Sequence, residues 1–229
     1  MKKLKRLLII PARGGSKRIK NKNIKKFKSK PIIFYTIDNA VKSKLFNKIH
    51  ISTDSSLIKK IVKKKKLQIE FMRSKKLSDD KTPLFKVYNF VVNEYKKRGF
   101  VFDEIWSIMP CAPNLEVNDI KKISKFYNQL KVKNPILSVS EYKVPIEWAF
   151  NIKKSGNLIP INQKSQLRRS QDIKKKYYDA GQFCVYPGKK FFTYNFIKKN
   201  YYYIGYILPS RKSVDIDDIE DWKLAEKLH

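Results

Sequence analysis

The sequence predicts an α/β fold, a doubly wound and mainly parallel sheet, on three observations. Short apolar runs alternate with helical patterns from Leu7 to Val139. The first run ends in a turn with two glycines, where the backbone can pass close to a ligand. At 229 residues, 42% of them apolar, the chain can fill one such core. A single domain over residues 1–229 is therefore expected, with an excursion at about 141–176.

Leu7 to Ile10 reads as a short buried strand that stops at Pro11. Pro31 opens a helix to about Lys44, with Ile33, Ile37, Ala40 and Val41 on one stripe. Lys48 to Thr53 is the second strand, and the Ser52-Thr53-Asp54-Ser55-Ser56 cluster caps a helix to about Lys65. Gln68 to Met72 is expected as a third strand. Thr82-Pro83 starts a helix carrying Val87, Tyr88, Val91, Val92 and Tyr95, and Glu104 to Met109 is the fourth strand, closed by Pro110-Cys111-Ala112-Pro113. Asn118 to Leu130 is helical and Pro135 to Val139 is the fifth strand, and the right-handed crossover rule puts these strands in one sheet. From Glu141 to about Lys176 the pattern breaks into proline-marked pieces, Val144-Pro145-Ile146 and Leu158-Ile159-Pro160-Ile161, which suit strands leaving the main sheet. The last helix runs from Ile219 to Leu228.

The turn after the first strand carries Arg13, Gly14, Gly15, Ser16, Lys17, Arg18, Lys20, Lys22 and Asn23. Backbone amides and several cations on one loop are what a polyphosphate needs. The spacing is neither Gly-x-x-x-x-Gly-Lys-Ser/Thr nor Gly-x-Gly-x-x-Gly. A second signal is Val214-Asp215-Ile216-Asp217-Asp218. Alternation puts the Asp215 and Asp217 carboxylates on one side, where they can share magnesium with a substrate phosphate, while Asp218 caps the last helix. The third is Arg168-Arg169-Ser170-Gln171-Asp172 with Tyr178-Asp179-Ala180-Gly181-Gln182-Phe183. Its arginines can fork onto the carboxylate of an acidic sugar beside aromatic and amide groups, and an ordinary strand entered through Gly181 explains the second part equally well.

These strings, together with Ser52-Thr53-Asp54, Arg73 and Leu77-Ser78-Asp79-Asp80, resemble the acylneuraminate (nonulosonic acid) cytidylyltransferases over essentially the whole chain. The family's loop reads Pro-Ala-Arg-x-x-Ser-Lys followed by Lys-Asn, and its Asp-x-Asp falls on Asp215 and Asp217. The resemblance implies a Rossmann-like nucleotidyltransferase that moves CMP from CTP to the anomeric hydroxyl of a nine-carbon sugar acid and releases pyrophosphate. It implies a catalytic group of Arg13, Lys17, Lys22, Asp215 and Asp217, with magnesium on the two aspartates. CTP would meet Arg13, Gly14, Gly15, Ser16, Lys22, Asn23 and Arg73, and the sugar Arg168, Arg169, Gln171, Tyr178, Asp179, Gln182 and Phe183. The third signal is closest to the pseudaminic acid enzymes, with sialic, legionaminic and Kdo cytidylyltransferases as alternatives. The excursion would be a dimerisation arm, and the protein a homodimer. Met109, Cys111 and Cys184 depart from the family's usual residues.

A net charge of +32 also admits a lysine-rich nucleic-acid-binding domain as an alternative of another class. All but eight of the 52 basic residues are lysine, however, spread along the chain rather than gathered on one element, so neither nucleic acid nor membrane is expected as a partner. Two cysteines and two histidines offer no zinc spacing and disfavour a Ser-His pair. The amino terminus holds only a four-residue apolar run before Pro11, so a cytoplasmic protein is expected.

Overall fold

The computed structural model describes residues 4–131, 134–193 and 202–229. Its centre is a six-stranded sheet. Strand β1 (Arg6–Pro11) is buried along its whole length, and after it come two two-residue strands, β2 (Lys26–Phe27) and β3 (Lys30–Pro31), paired in a small hairpin of their own. The chain continues through α1 (Ile33–Ser43), β4 (Lys48–Ser52), α2 (Ser56–Lys63), α3 (Leu84–Lys97), β5 (Glu104–Ile108), α4 (Val117–Gln129) and β6 (Ile136–Glu141). Strands β7 (Phe150–Ile152) and β8 (Leu158–Pro160), the long β9 (Tyr177–Pro187), β10 (Ile204–Ile207) and α5 (Ile219–Leu228) complete it.

The sheet order is β10-β6-β9-β5-β1-β4. β4 and β5 run parallel to β1 on either side, β10 runs parallel to β6, and β9 alone is antiparallel, to both β5 and β6. Alternation along β1 shows why helices cover both faces. Leu8 and Ile10 pack with Ile33, Ile37, Ile58 and Ile123 from α1, α2 and α4, whereas Leu7 and Ile9 pack with Tyr88, Val91 and Tyr95 from α3. Each of those fully buried side chains contributes roughly 1.5–3 kcal/mol. Across β1 and β5 a buried pair, Arg6 Nε to Glu104 Oε2 at 2.8 Å, is completed by Trp106 Nε1 on the same oxygen.

A third, smaller core decides where the acidic segment lies. Ile216, fully buried, packs with Phe27, Ile32, Tyr35, Cys111 and Trp222, which clamps residues 214–217 against the turn that follows β1. Helix α5 anchors that core, and Asp218 caps it by accepting from the Glu220 and Asp221 amides.

Two expectations are corrected, and two features of the sheet were not foreseen. Pro31 belongs to β3, so α1 begins two residues later, at Ile33. Residues 68–72 are coil: Ile69 is buried in the core, but a ladder does not form, and the link to β4 is the Arg73 amide on the Thr53 carbonyl at 2.8 Å. The short edge strand β10 and the antiparallel placement of β9 were not expected. The excursion is a separate hairpin of β7 and β8, with Ile152 74% and Leu158 58% exposed.

Candidate active site

The chain leaves β1 for β4 on one side and returns to β5 on the other, so the winding reverses at β1. A ligand crevice belongs at the carboxyl ends of the strands at such a point. A cleft of about 220 Å³ lies there, lined by Pro11 at the end of β1 and Met109, Pro110 and Cys111 after β5. It gathers Arg13, Ser16, Lys17, Arg18, Lys22, Asn23, Arg73, Asp215 and Asp217, the cation loop and the acid pair of the sequence reading, and adds Ile19 and Leu84.

Each group is held by the fold. Asn23, buried, donates through Nδ2 to the Arg13 carbonyl at 2.9 Å and receives the Cys111 thiol at 3.4 Å, tying the two ends of the loop to the β5 turn. Burial pushes that thiol up to about 12, so Cys111 packs as a neutral group. Lys22 Nζ donates to the Ile216 carbonyl at 2.5 Å and lies 3.5 Å from Asp217 Oδ1, which Arg18 also meets at 2.9 Å. Arg13 reaches Asp80 Oδ1 at 2.5 Å, and Lys17 meets the other oxygen of the same carboxylate.

Arg73 is the buried cation of the site. Its Nε and Nη2 have no hydrogen-bond partner among the described residues, and burial lowers its pKa, with Asp54 opposing and Arg13 adding to the shift. A buried donor left without a partner costs about 1–3 kcal/mol, so an anionic ligand is the group that Arg73 is suited to receive. Asp215 stands accessible at the mouth of the cleft. Its carboxyl is raised by partial desolvation first and then by the neighbouring Asp217 charge, with Lys22 opposing. Gly181, at φ +61°, lets β9 pass beside it: a Cβ there would lie 2.7 Å from Asp215 Oδ2.

Several expected site residues lie elsewhere. The Gly14 amide is not offered to a ligand, because it donates to Asp54 Oδ1 at 2.9 Å. Glycine is needed there because a Cβ would come within 2.9 Å of Ser55 Cβ. Gly15 sits in open space and does not line the cleft. Phe183 is core: the β6–β9 register shifts between Leu137 and Val139, five residues of β9 spanning two of β6, and the slip turns Phe183 inward onto Tyr206. Gln182 is buried and donates from Nε2 to the carbonyls of Ala180 and Val214, bracing the Asp215 segment rather than facing the cleft. Arg168 and Arg169 are exposed and bind Asp172 of their own turn, and Gln171 in that turn is exposed too. Tyr178 stands exposed with its ring 5.0 Å from Tyr142, and the Asp179 carboxylate accepts from the Gly181 amide.

Asp54 and Asp80 are the site groups whose tasks the sequence reading missed. Their strings stood out in the sequence, and in a chain with 20 acids against 52 bases any carboxylate beside a cation loop is a signal.

The family described as Cytidylyltransferase matches residues 7–217. The chain is 33% identical over 226 residues to the pseudaminic acid cytidylyltransferase of Campylobacter jejuni, across 99% of this chain and 97% of the relative. It is 26% identical over 227 residues to the CMP-N,N'-diacetyllegionaminic acid synthase of Legionella pneumophila, across 97% and 95%. Among solved structures, a CMP:2-keto-3-deoxy-manno-octonic acid synthetase complexed with CTP superposes with a TM-score of 0.69 at 12% identity, covering 98% of each chain. The 4-diphosphocytidyl-2C-methyl-D-erythritol synthase of Anaerococcus prevotii does so at 0.60 and 12%, covering 99% of this chain and 98% of that one. Those two likenesses bear on the fold alone. On a family match that takes in both the cation loop and the acid pair, the chain belongs to the cytidylyltransferase family and is a CTP-dependent nucleotidyltransferase.

Proposed function

We propose that this enzyme transfers CMP from CTP to the anomeric hydroxyl of a nonulosonic acid, pseudaminic acid, and releases pyrophosphate. The observation that carries the reading is the cleft itself, where four loop cations, the buried Arg73 with its Nε and Nη2 unpartnered among the described residues, and two carboxylates line one space at the carboxyl ends of β1 and β5. The sugar is read from the Campylobacter relative, whose match covers nearly both chains.

In this reading Arg13, Lys17 and Arg73 hold the triphosphate and offset the charge that develops on the departing pyrophosphate. Ser16 and Asn23 set the nucleotide's place, and Lys22 joins the loop to the acidic segment through Ile216. The hydroxyl attacks the α-phosphorus in line, so catalysis is positioning and charge neutralisation without a protein nucleophile.

Asp215 and Asp217 fit magnesium. They are hard oxygen donors, and the like-charge repulsion that helps raise Asp215 is one a divalent cation relieves. Among the described residues no group of three or more His, Cys, Asp or Glu could hold a metal alone, so the other ligands would be phosphate oxygens and water. When bound there, magnesium supplies Lewis-acid charge to the reacting phosphate. Arg168, Arg169 and Gln171 would meet the sugar carboxylate from their turn, beside Tyr178 and Asp179. The hairpin of β7 and β8, with Ile152, Leu158 and Ile161 exposed, supports an apolar arm for a second copy, and the protein would work in the cytoplasm as a homodimer.

Pyrophosphate release tests the reading. With CTP and magnesium, pseudaminic acid should give the highest kcat/KM in a panel with sialic, legionaminic and Kdo acids. Absence of release with every member would overturn it, and a better rate with another sugar would move the specificity.

A further inference from the structure

The cradle cations are already neutralised from within. Arg13 and Lys17 share the two oxygens of Asp80, and Arg18 and Lys22 share one oxygen of Asp217. Asp217 comes from the clamped segment beside Ile216, but Asp80 does not come from the scaffold. It sits on an exposed stretch, residues 74–83, between the buried Arg73 and the start of α3. The bonds of that stretch are local: Ser78 Oγ to the Ser74 carbonyl, Thr82 Oγ1 to the Lys76 carbonyl, and the Lys81 and Thr82 amides to Asp79 Oδ1. Asp79 therefore makes the turn, and the Asp80 carboxylate is left to the cradle.

We propose that Asp80 is an internal competitor of the polyphosphate: its carboxylate and the pyrophosphate group use the same Arg13 and Lys17, so it weakens pyrophosphate binding and hastens release of that product. The inference rests on the reading of Arg13 and Lys17 as phosphate holders. A ligand whose binding-competent form is only partly populated binds more weakly by that fraction. If the Asp80 pairs are formed most of the time, freeing the cations strengthens binding several-fold. Such a contact hardly stabilises the fold, because exposed ion pairs contribute little, and Lys17 is 80% exposed. The cost of an unopposed cradle would appear after the chemistry. Pyrophosphate carries several negative charges, and leaving Arg13 and Lys17 both unpaired would be slow, whereas a tethered carboxylate that replaces it as it departs lowers that barrier.

The test is the affinity of pyrophosphate, CTP and CMP for the full-length wild type and Asp80→Asn, by calorimetry. Asp80→Asn should bind pyrophosphate and CTP about three- to tenfold more tightly and leave CMP, which lacks the outer phosphates, unchanged. Inhibition of turnover by added pyrophosphate should strengthen by the same factor. Glu94→Gln, which removes one negative charge on α3, should change none of these. Asp80→Ser is the second variant, and thermal melting confirms that each is folded. Unchanged or weaker pyrophosphate affinity in the folded Asp80 variants overturns the inference, and so does equal tightening of CMP or of the Glu94 variant, which would mark a general charge effect. CTP-driven pyrophosphate release by the wild type is scored separately. An inactive wild type sinks the proposed reaction, whereas an active one with Asp80-insensitive affinity sinks only the competition.

Discussion

The cleft and the β7–β8 excursion are built on opposite plans. In the cleft several polar groups are tied to distant parts of the chain: Lys22 to Ile216, Arg18 to Asp217, the Gly14 amide to Asp54 and Asn23 to Cys111. In the excursion the bonds stay within its own segment, Arg169 to Asp172, Trp148 Nε1 to the Ser165 carbonyl and Lys176 to Glu147, and apolar side chains such as Ile152 and Leu158 face solvent. On the proposed reading, the groups that meet phosphate are thus placed by the scaffold of a single chain. The groups proposed for the sugar are held only by exposed contacts to near neighbours, Arg168 and Arg169 to Asp172 and Tyr178 to Tyr142, as expected of a surface completed by a ligand or a second copy.

The sharpest way to break this comparison is at the acid pair. Asp215→Asn and Asp217→Asn should each lower kcat by on the order of a hundredfold, about 2.7 kcal/mol, with melting temperatures close to wild type. Asparagine caps a helix about as well as aspartate, and the cap here is Asp218, so a structural role predicts no loss of rate. Near-normal turnover in both variants, at saturating CTP and magnesium, would show that the pair only holds the loop.

The same truncation on both sides reads the difference in packing. Ile216 is fully buried between the two aspartates, and Ile216→Ala should cost about 2–5 kcal/mol in urea unfolding. Ile152 is 74% exposed, and Ile152→Ala in the single chain should stay within about 0.5 kcal/mol. Equal costs would mean that the excursion is packed as the cleft is. A smaller effect belongs to the loop: Arg13→Ala and Lys22→Ala should each weaken CTP binding by about 1.5–3 kcal/mol, the range for hydrogen bonds to charged groups, which titration calorimetry resolves. Unchanged affinity in both removes them from the phosphate site.

What the sequence made legible follows the same division. The acid pair was readable because alternation with Val214 and Ile216 needs only a local period, and the third core enforces it by burying Ile216. The α5 bounds and the Asp218 cap were readable for the same local reason. Phe183 was misread because a period of two cannot show a slip: Gly181 adopts φ +61° and the β6–β9 register jumps, so residues beyond it change faces. β10 escaped because a four-residue edge strand containing Gly205 carries almost no pattern. Residues 68–72 look like a strand, yet Ile69 satisfies its apolar character by packing, and a ladder does not form. The Asp80 contact joins two loops more than 60 residues apart, and nothing in the spacing announces it.

The smallest expected effect tests whether the excursion's arginines serve the sugar at all. Arg168 and Arg169 are held by Asp172 through exposed contacts worth little, so neither should matter for folding. If one forks onto the sugar carboxylate, then Arg168→Ala or Arg169→Ala should raise the sugar's KM about three- to tenfold, roughly 0.6–1.4 kcal/mol, and leave the KM of CTP alone. Lysine should restore part of the loss by supplying charge without the planar fork. A rise in the KM of CTP would instead tie these arginines to the phosphate cleft, against the separation seen in the structure. No change in either constant would remove these arginines from the sugar site and leave the sugar to groups nearer the cleft.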